Sequence, residues 1–186
     1  MNSARIVRPR EALEVQEMQV PKPKGSQVLV KVLSAGVCHS DIHLWEGGYE
    51  GPVGQFLKTT DRGARYPLTL GHEIAGVVED MGEDVTATLV GNDSITKDEK
   101  VIVYPWIGEG VCPACRIGEE NLCDNPRSLG IYADEGYAEY VLVPHYKYLV
   151  RINNQKDDID NSGDNPKFDT DMHQHYPVLR LLHTAR

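Results

Sequence analysis

The sequence predicts a mainly β fold with short helices, a small barrel or sandwich, over residues 1 to about 150. Three observations predict it. Short runs rich in Val, Ile, Leu and Tyr recur along this stretch. Gly and Pro punctuate them, as in Pro21-Lys22-Pro23-Lys24-Gly25. Apolar and polar residues alternate in the run Leu13–Met18, which is the period of a half-buried strand. Many short strands joined by Gly/Pro turns close into a barrel or pack as a sandwich.

The elements follow in order. Leu13–Met18 alternates and reads as an early strand. Gln27–Leu33 is a strand, with the Pro/Lys/Gly turn before it and Gly36 after it. A short helix is expected from Ser40 or Asp41, both good N-caps, through Trp45. Ile74–Glu79 is a further strand, Lys100–Tyr104 another, and Tyr137–Val143 the last clear one. Near Arg151 the texture changes. The stretch Asp157-Asp158-Ile159-Asp160-Asn161-Ser162-Gly163-Asp164-Asn165-Pro166 is too polar to order itself by burial. The expected division is therefore a domain at 1–151 and an acidic, disordered tail at 152–186. Within the tail, Tyr176–Leu182 is apolar enough to dock as a turn or strand. No internal repeat is visible.

Charge excludes some partners. The chain carries 28 acidic against 19 basic residues, a formal charge of −9. That disfavours nucleic acid and anionic membranes. No apolar run approaches the roughly 20 residues of a membrane span, and Met1-Asn2-Ser3-Ala4-Arg5 lacks the apolar core of a signal peptide. Cytoplasm is the default location, consistent with reduced cysteines.

Three of the four cysteines form Cys112-Pro-Ala-Cys115-x7-Cys123, and Glu109 stands three residues upstream. A Cys-x2-Cys step brings two sulfurs onto one zinc with little strain, and a carboxylate is a less common fourth ligand. A redox pair or disulfides are the alternatives. The third nearby cysteine and the Glu step favour metal, and the distant Cys38 and lack of a secretory signal disfavour disulfides. Two further stretches carry ligand types: Gly36-Val37-Cys38-His39-Ser40-Asp41-Ile42-His43 and Gly71-His72-Glu73-Ile74-Ala75-Gly76. Taken singly, Cys38 reads as a small core residue and His72 is a weak signal. Together they offer a thiolate, an imidazole and a carboxylate.

At this point the chain resembles a known family. Gly71-His72-Glu73-x2-Gly76-x5-Gly82-x2-Val85 matches the zinc signature of the medium-chain, zinc-dependent alcohol dehydrogenases, and Gly-Val-Cys-His-Ser-Asp is their other hallmark. Pro105–Gly110, Cys115–Asp124 and Ala138–Pro144 are similar to the archaeal branch, in which a Glu replaces the first of four cysteines at a structural zinc. The resemblance covers about residues 1–151. It implies a GroES-like, partly open β-barrel. It makes Cys38 and His72 ligands of a catalytic zinc, with Glu73 a neighbouring carboxylate that can enter the coordination sphere when water or substrate leaves. Ser40 and His43 become a proton relay, and His39 the residue that meets the cofactor pyrophosphate. Trp106 and Trp45 would border the substrate cleft, and Glu109, Cys112, Cys115 and Cys123 would hold the structural zinc. The implied chemistry is oxidation of small alcohols to aldehydes or ketones, with zinc as Lewis acid and hydride passing to NAD.

The pattern also breaks. No strand–Gly-x-Gly-x-x-Gly–helix unit for a nicotinamide cofactor is present. Gly108-Glu109-Gly110 opens the cysteine loop instead. The family's third catalytic-zinc ligand has no counterpart, so the site around Cys38 is incomplete; His173 and His175 in the tail are the available substitutes and read as solvated. Residues 86–100 are longer than usual, and Asp98-Glu99-Lys100-Val101 stands where Gly-Asp-x-Val is usual. The leading expectation is a truncated catalytic domain of an NAD-dependent alcohol dehydrogenase, with little activity alone. The alternative is a zinc-stabilised, non-catalytic module that pairs with a full-length dehydrogenase or a separate nucleotide-binding domain. A remnant of an interrupted gene is the third.

Overall fold

Strand pairing dominates the computed structural model, which describes residues 1–88, 95–134 and 136–152, with the side chains of 86–88 left aside. All belong to one unit, Met1–Asn153. The expected tail, with His173, His175 and Tyr176–Leu182, lies outside the described residues.

The elements are β1 (Asn2–Ile6), β2 (Glu14–Glu17), β3 (Val28–Gly36), α1 (His39–Glu46), β4 (Gly48–Glu50), β5 (Phe56–Lys58), β6 (Leu68–Thr69), β7 (Glu73–Met81), α2 (Glu83–Thr88), β8 (Lys100–Val103), α3 (Pro113–Arg116), β9 (Tyr140–Val143) and β10 (Leu149–Arg151). Short 3-10 turns cover Thr60–Arg62, Glu120–Leu122 and Tyr146–Tyr148. Ten strands against three short helices among the described residues is the mainly β fold expected. Among the described residues no helix is long and apolar enough to cross a membrane.

The central sheet has five strands in the order β10-β8-β7-β3-β9, all antiparallel. Three-stranded β2-β1-β6 and the β4-β5 hairpin complete the set. In β3, Val28, Leu29 and Val30 are all buried, and alternation sets in after them, with Lys31 and Leu33 exposed and Val32 between them partly buried. Val28 and Val30 pack with Ile74, Val78, Val101, Val103, Val141 and Val143. Each fully buried Val or Ile contributes about 1.5–3 kcal/mol relative to exposure. A second cluster, Ala4, Ile6, Ala35, Leu44, Leu68, Leu70 and Tyr137, joins β1 and α1 to the rest.

Two details of the expected elements are corrected. The helix begins one residue before Ser40, and its N-cap is Cys38, whose sulfur accepts the Ser40 N–H at 3.2 Å. Asp41 is instead the N3 residue, whose carboxylate reaches back to the Cys38 N–H at 2.9 Å. That reciprocal arrangement is a capping box with a thiol in the usual hydroxyl position. The last strand is shorter than expected, because Ala138 forms an isolated bridge with Ser3 and ladder pairing starts at Tyr140. Gly47 ends α1 at φ 79°, a left-handed C-cap that a side chain would strain. In the long stretch at 86–100, the described part adds the end of α2 and a turn with Asp98 at φ 68°.

Candidate metal centres

Two clusters of metal-binding side chains converge among the described residues: Cys112, Cys115 and Cys123, and Cys38, Asp41 and His72. In each, the ligand atoms lie within 4.8 Å of one another.

The first cluster is built by one loop. Cys112 is the N-cap of α3, Pro113 fits the first helical position, and the Cys115 N–H donates to the Cys112 sulfur at 3.5 Å. The Cys112 sulfur lies 3.4 Å from that of Cys115 and 3.8 Å from that of Cys123. A tetrahedral zinc with Zn–S bonds near 2.3 Å spaces its sulfurs by about 3.8 Å, so the donor set fits that ion. The Cys115 N–H at its sulfur, the largest effect, pulls the Cys112 thiol below its ordinary value, while burial pushes Cys115 up to about 11. Only a thiolate ligates zinc, so binding must displace the Cys115 proton. Glu109 is adjacent: its N–H donates to the Cys123 sulfur at 3.4 Å, and its carboxylate accepts the Asn125 side-chain amide at 3.0 Å. Its oxygens stand outside the three-sulfur group.

The second cluster is built by the sheet. Gly36 at the end of β3 pairs with Glu73 at the start of β7, which brings Cys38 and His72 together from 34 residues apart. The Cys38 sulfur stands 3.0 Å from His72 Nε2. On the other side of the ring, His72 Nδ1 is buried without a hydrogen-bond partner and faces Asp41 Oδ1 at 3.7 Å. Asp41 is 2% exposed and also accepts the Gly71 N–H at 3.2 Å. A metal on Nε2 requires the proton on Nδ1, and a carboxylate facing Nδ1 favours that tautomer. The donor set therefore fits a divalent ion held by Cys38 and His72.

The other expected site residues group around α1. Glu73 is exposed and its carboxylate lies over Gly36, where a Cβ would meet it at 2.2 Å. Ser40 and His39 are exposed in the first turn. The His39 and His43 rings are 4.5 Å apart, and the His43 and Tyr49 rings 4.9 Å. Tyr49 in turn takes a hydrogen bond from Arg62. Trp45 donates its indole N–H to the Glu11 carbonyl at 2.7 Å, and Trp45 and Trp106 are both partly exposed, at 37% and 47%. A concavity of about 200 Å³ between Met18–Pro21 and Ala138–Leu142 is lined by none of these residues. Asp41 is the residue that the reading of the sequence missed at this cluster; its place three positions after Cys38 was the available signal.

The alcohol dehydrogenase GroES-like domain matches residues 24–154. The chain belongs to that family. It is 50% identical over 152 residues to an NAD-dependent alcohol dehydrogenase of Saccharolobus solfataricus, covering 82% of this chain and 41% of that one. It is 49% identical, over the same shares, to the NAD-dependent alcohol dehydrogenase of Sulfurisphaera tokodaii. The crystal structure of the alcohol dehydrogenase of Aeropyrum pernix superposes with a TM-score of 0.65 at 28% identity, over 82% of this chain and 40% of that one. The chain spans about two fifths of the length of these archaeal relatives.

Proposed function

We propose that the chain forms the zinc-binding catalytic portion of an NAD-dependent dehydrogenase of small alcohols. The observation that carries this reading is the meeting of Cys38 Sγ and His72 Nε2 at 3.0 Å. Cys38 and His72 hold the reactive metal, with Asp41 fixing the His72 tautomer and Glu73 at the rim. A zinc ion bound there supplies Lewis acidity to an alcohol oxygen. Ser40, exposed on the first turn of α1, receives the substrate proton, and His43, one turn on, carries it outward. His43 suits the task because its ring is braced between His39 and Tyr49. His39, exposed beside it, meets the cofactor's diphosphate. Trp106 and Trp45 border the alcohol's carbon chain. Cys112, Cys115 and Cys123 hold a second, structural zinc, with Glu109 as its fourth ligand. The domain runs from 1 to 151, with residues 152–186 a tail.

Metal analysis of the purified chain tests this. One tightly held zinc is expected in the cysteine loop, and a second, weaker one at Cys38 and His72, since that cluster offers fewer strong donors. Loss of the tight zinc in Cys112→Ser, and of only the weak one in Cys38→Ser, supports the assignment. Wild-type protein free of zinc after growth in zinc-replete medium sinks it.

A second reading has its own observation. Ile102 and Val150 face each other across β8 and β10, 47% and 54% exposed. Such an apolar pair on an outer sheet face suits a docking role, in which the chain is a zinc-stabilised module bound to a dehydrogenase subunit. A monodisperse monomer in sizing experiments, with no dehydrogenase co-purified, counts against it.

A further inference from the structure

Glu120 lies between Cys115 and Cys123, in the turn Glu120–Leu122. It is outside the three-sulfur group. Its carboxylate is nonetheless fully engaged, and its side chain is only 12% exposed. Oε2 accepts the Gly108 N–H at 3.1 Å and the Tyr148 hydroxyl, and Oε1 pairs with the Lys147 ammonium. Tyr148 is part of the main core cluster and its carbonyl accepts the Tyr104 N–H at 2.7 Å. Glu120 therefore joins the cysteine loop to the five-stranded sheet across 27 and 28 residues of sequence.

The Gly108 end of this contact reaches the sulfurs. A Cβ on Gly108 would stand 2.5 Å from Cys115 Sγ and 3.2 Å from Glu120 Cβ, so the bare backbone is wedged between them. The next residue, Glu109, donates its N–H to Cys123 Sγ. The strip Gly108–Glu109 thus touches two of the three cysteines while Glu120 grips it by its amide.

We infer that Glu120 is a positioning residue for the cysteine loop: it seats the Gly108–Glu109 strip against Cys115 and Cys123, and so sets how firmly the loop keeps its metal without being a ligand. Of its three partners, Gly108 and Tyr148 matter more, because Lys147 is half exposed and its ion pair is screened. Groups that orient metal ligands from behind typically govern affinity by about 10–100-fold when removed. The inference rests on the cysteine loop being the zinc site proposed above.

The test is zinc release from the folded, zinc-loaded chain to a chromogenic chelator, with cobalt-substituted protein reporting the thiolate charge-transfer band. Glu120→Ala is expected to release zinc about tenfold faster. Glu120→Gln, which keeps an acceptor oxygen, is expected to recover part of the loss, and Tyr148→Phe to show a smaller increase than Glu120→Ala. Arg5→Ala, which breaks the Arg5–Asp134 pair elsewhere in the fold, serves as a control for lost stability alone. Release from Glu120→Ala no faster than from Arg5→Ala overturns the inference. Should Glu120→Ala fail to fold, wild-type rates in both Glu120→Gln and Tyr148→Phe overturn it equally. Wild-type chain without zinc would instead refute the zinc site itself, a distinct outcome.

Discussion

Asp41 is 2% exposed, and its two carboxylate oxygens accept backbone N–H groups from Cys38 and Gly71. Removing it leaves the buried Gly71 N–H and the half-buried Cys38 N–H without their partner, at about 1–3 kcal/mol for the buried one and less for the other. Asp41→Ala is therefore expected to destabilise the chain by about 3 kcal/mol, and Asp41→Asn by less, since its remaining carbonyl keeps one acceptor; urea unfolding measures both. Asp98 gives the opposite sign. At φ 68° it adopts a conformation that costs a side chain and suits glycine, while its own N–H still donates to the Val78 carbonyl at 2.9 Å. Asp98→Gly is expected to raise stability by about 0.5 kcal/mol, the relief of strain being partly offset by the looser unfolded chain. Unchanged or lowered stability would show that Asp98 earns its place through a local contact. At this scale the closeness of Cys38 and His72 was legible only through the family resemblance, since singly each motif is weak; the fold brings the two side chains to 3.0 Å. Asp41 was not read as their partner. Its contact with His72 depends on a strand pairing that spacing alone does not reveal.

Of the strands, β3, β7 and β8 stood out in the sequence because each buries alternate Val or Ile residues in one core. The strands β1, β4, β5, β6 and β10 were not read: the last four have two or three residues, too few for a period to show, and the five of β1 include only Ala4 and Ile6 as apolar residues. The cysteine loop was legible as a ligand spacing, but its brace was not, since Glu120 meets Lys147 and Tyr148 only in the fold. That brace should be visible in the pH dependence of stability. Burial alone would raise the Glu120 carboxyl, yet the Lys147, Tyr148 and Gly108 donors overcome it and hold it below the ordinary 4.5. A carboxyl lowered on folding contributes fully above its unfolded value and loses that contribution as pH falls through the folded one. Metal-free wild type is thus expected to lose stability below about pH 4.5, and Glu120→Gln to lose less over that window. The ammonium of Lys147 is raised above 10.5, chiefly by the same pair, so its share is present below that pH and fades as pH rises past the folded value. Identical urea midpoints against pH for both proteins would show that the contact carries no net stability.

At the scale of the whole molecule, the two clusters differ in how they are assembled, and that decides what the chain can do. The cysteine loop gathers its three sulfurs from one run of twelve residues, or fifteen with Glu109, so the donors it offers a zinc come from one local stretch of chain. The Cys38–His72 cluster depends on the pairing of β3 with β7, and chemistry there needs more than a metal. Hydride transfer requires the acceptor carbon held about 3–3.5 Å from the donor. A nicotinamide is normally held by a Gly-rich turn between a strand and a helix, and no Gly-x-Gly-x-x-Gly occurs in these 186 residues. The relatives whose names include NAD are more than twice as long as the matched stretch. Zinc-loaded chain mixed with NAD and a primary alcohol is therefore expected to form no reduced nicotinamide above the enzyme-free control. Chelation is expected to lower the unfolding midpoint all the same, since a zinc in the proposed cysteine site would bind the folded chain in preference to the unfolded one whether or not turnover occurs. The pair of measurements separates two properties that a dehydrogenase usually shows together. A chain that oxidises alcohol robustly would have to hold its cofactor by a route other than the Gly-rich turn. A chain indifferent to chelation would place its stability in the valine core alone.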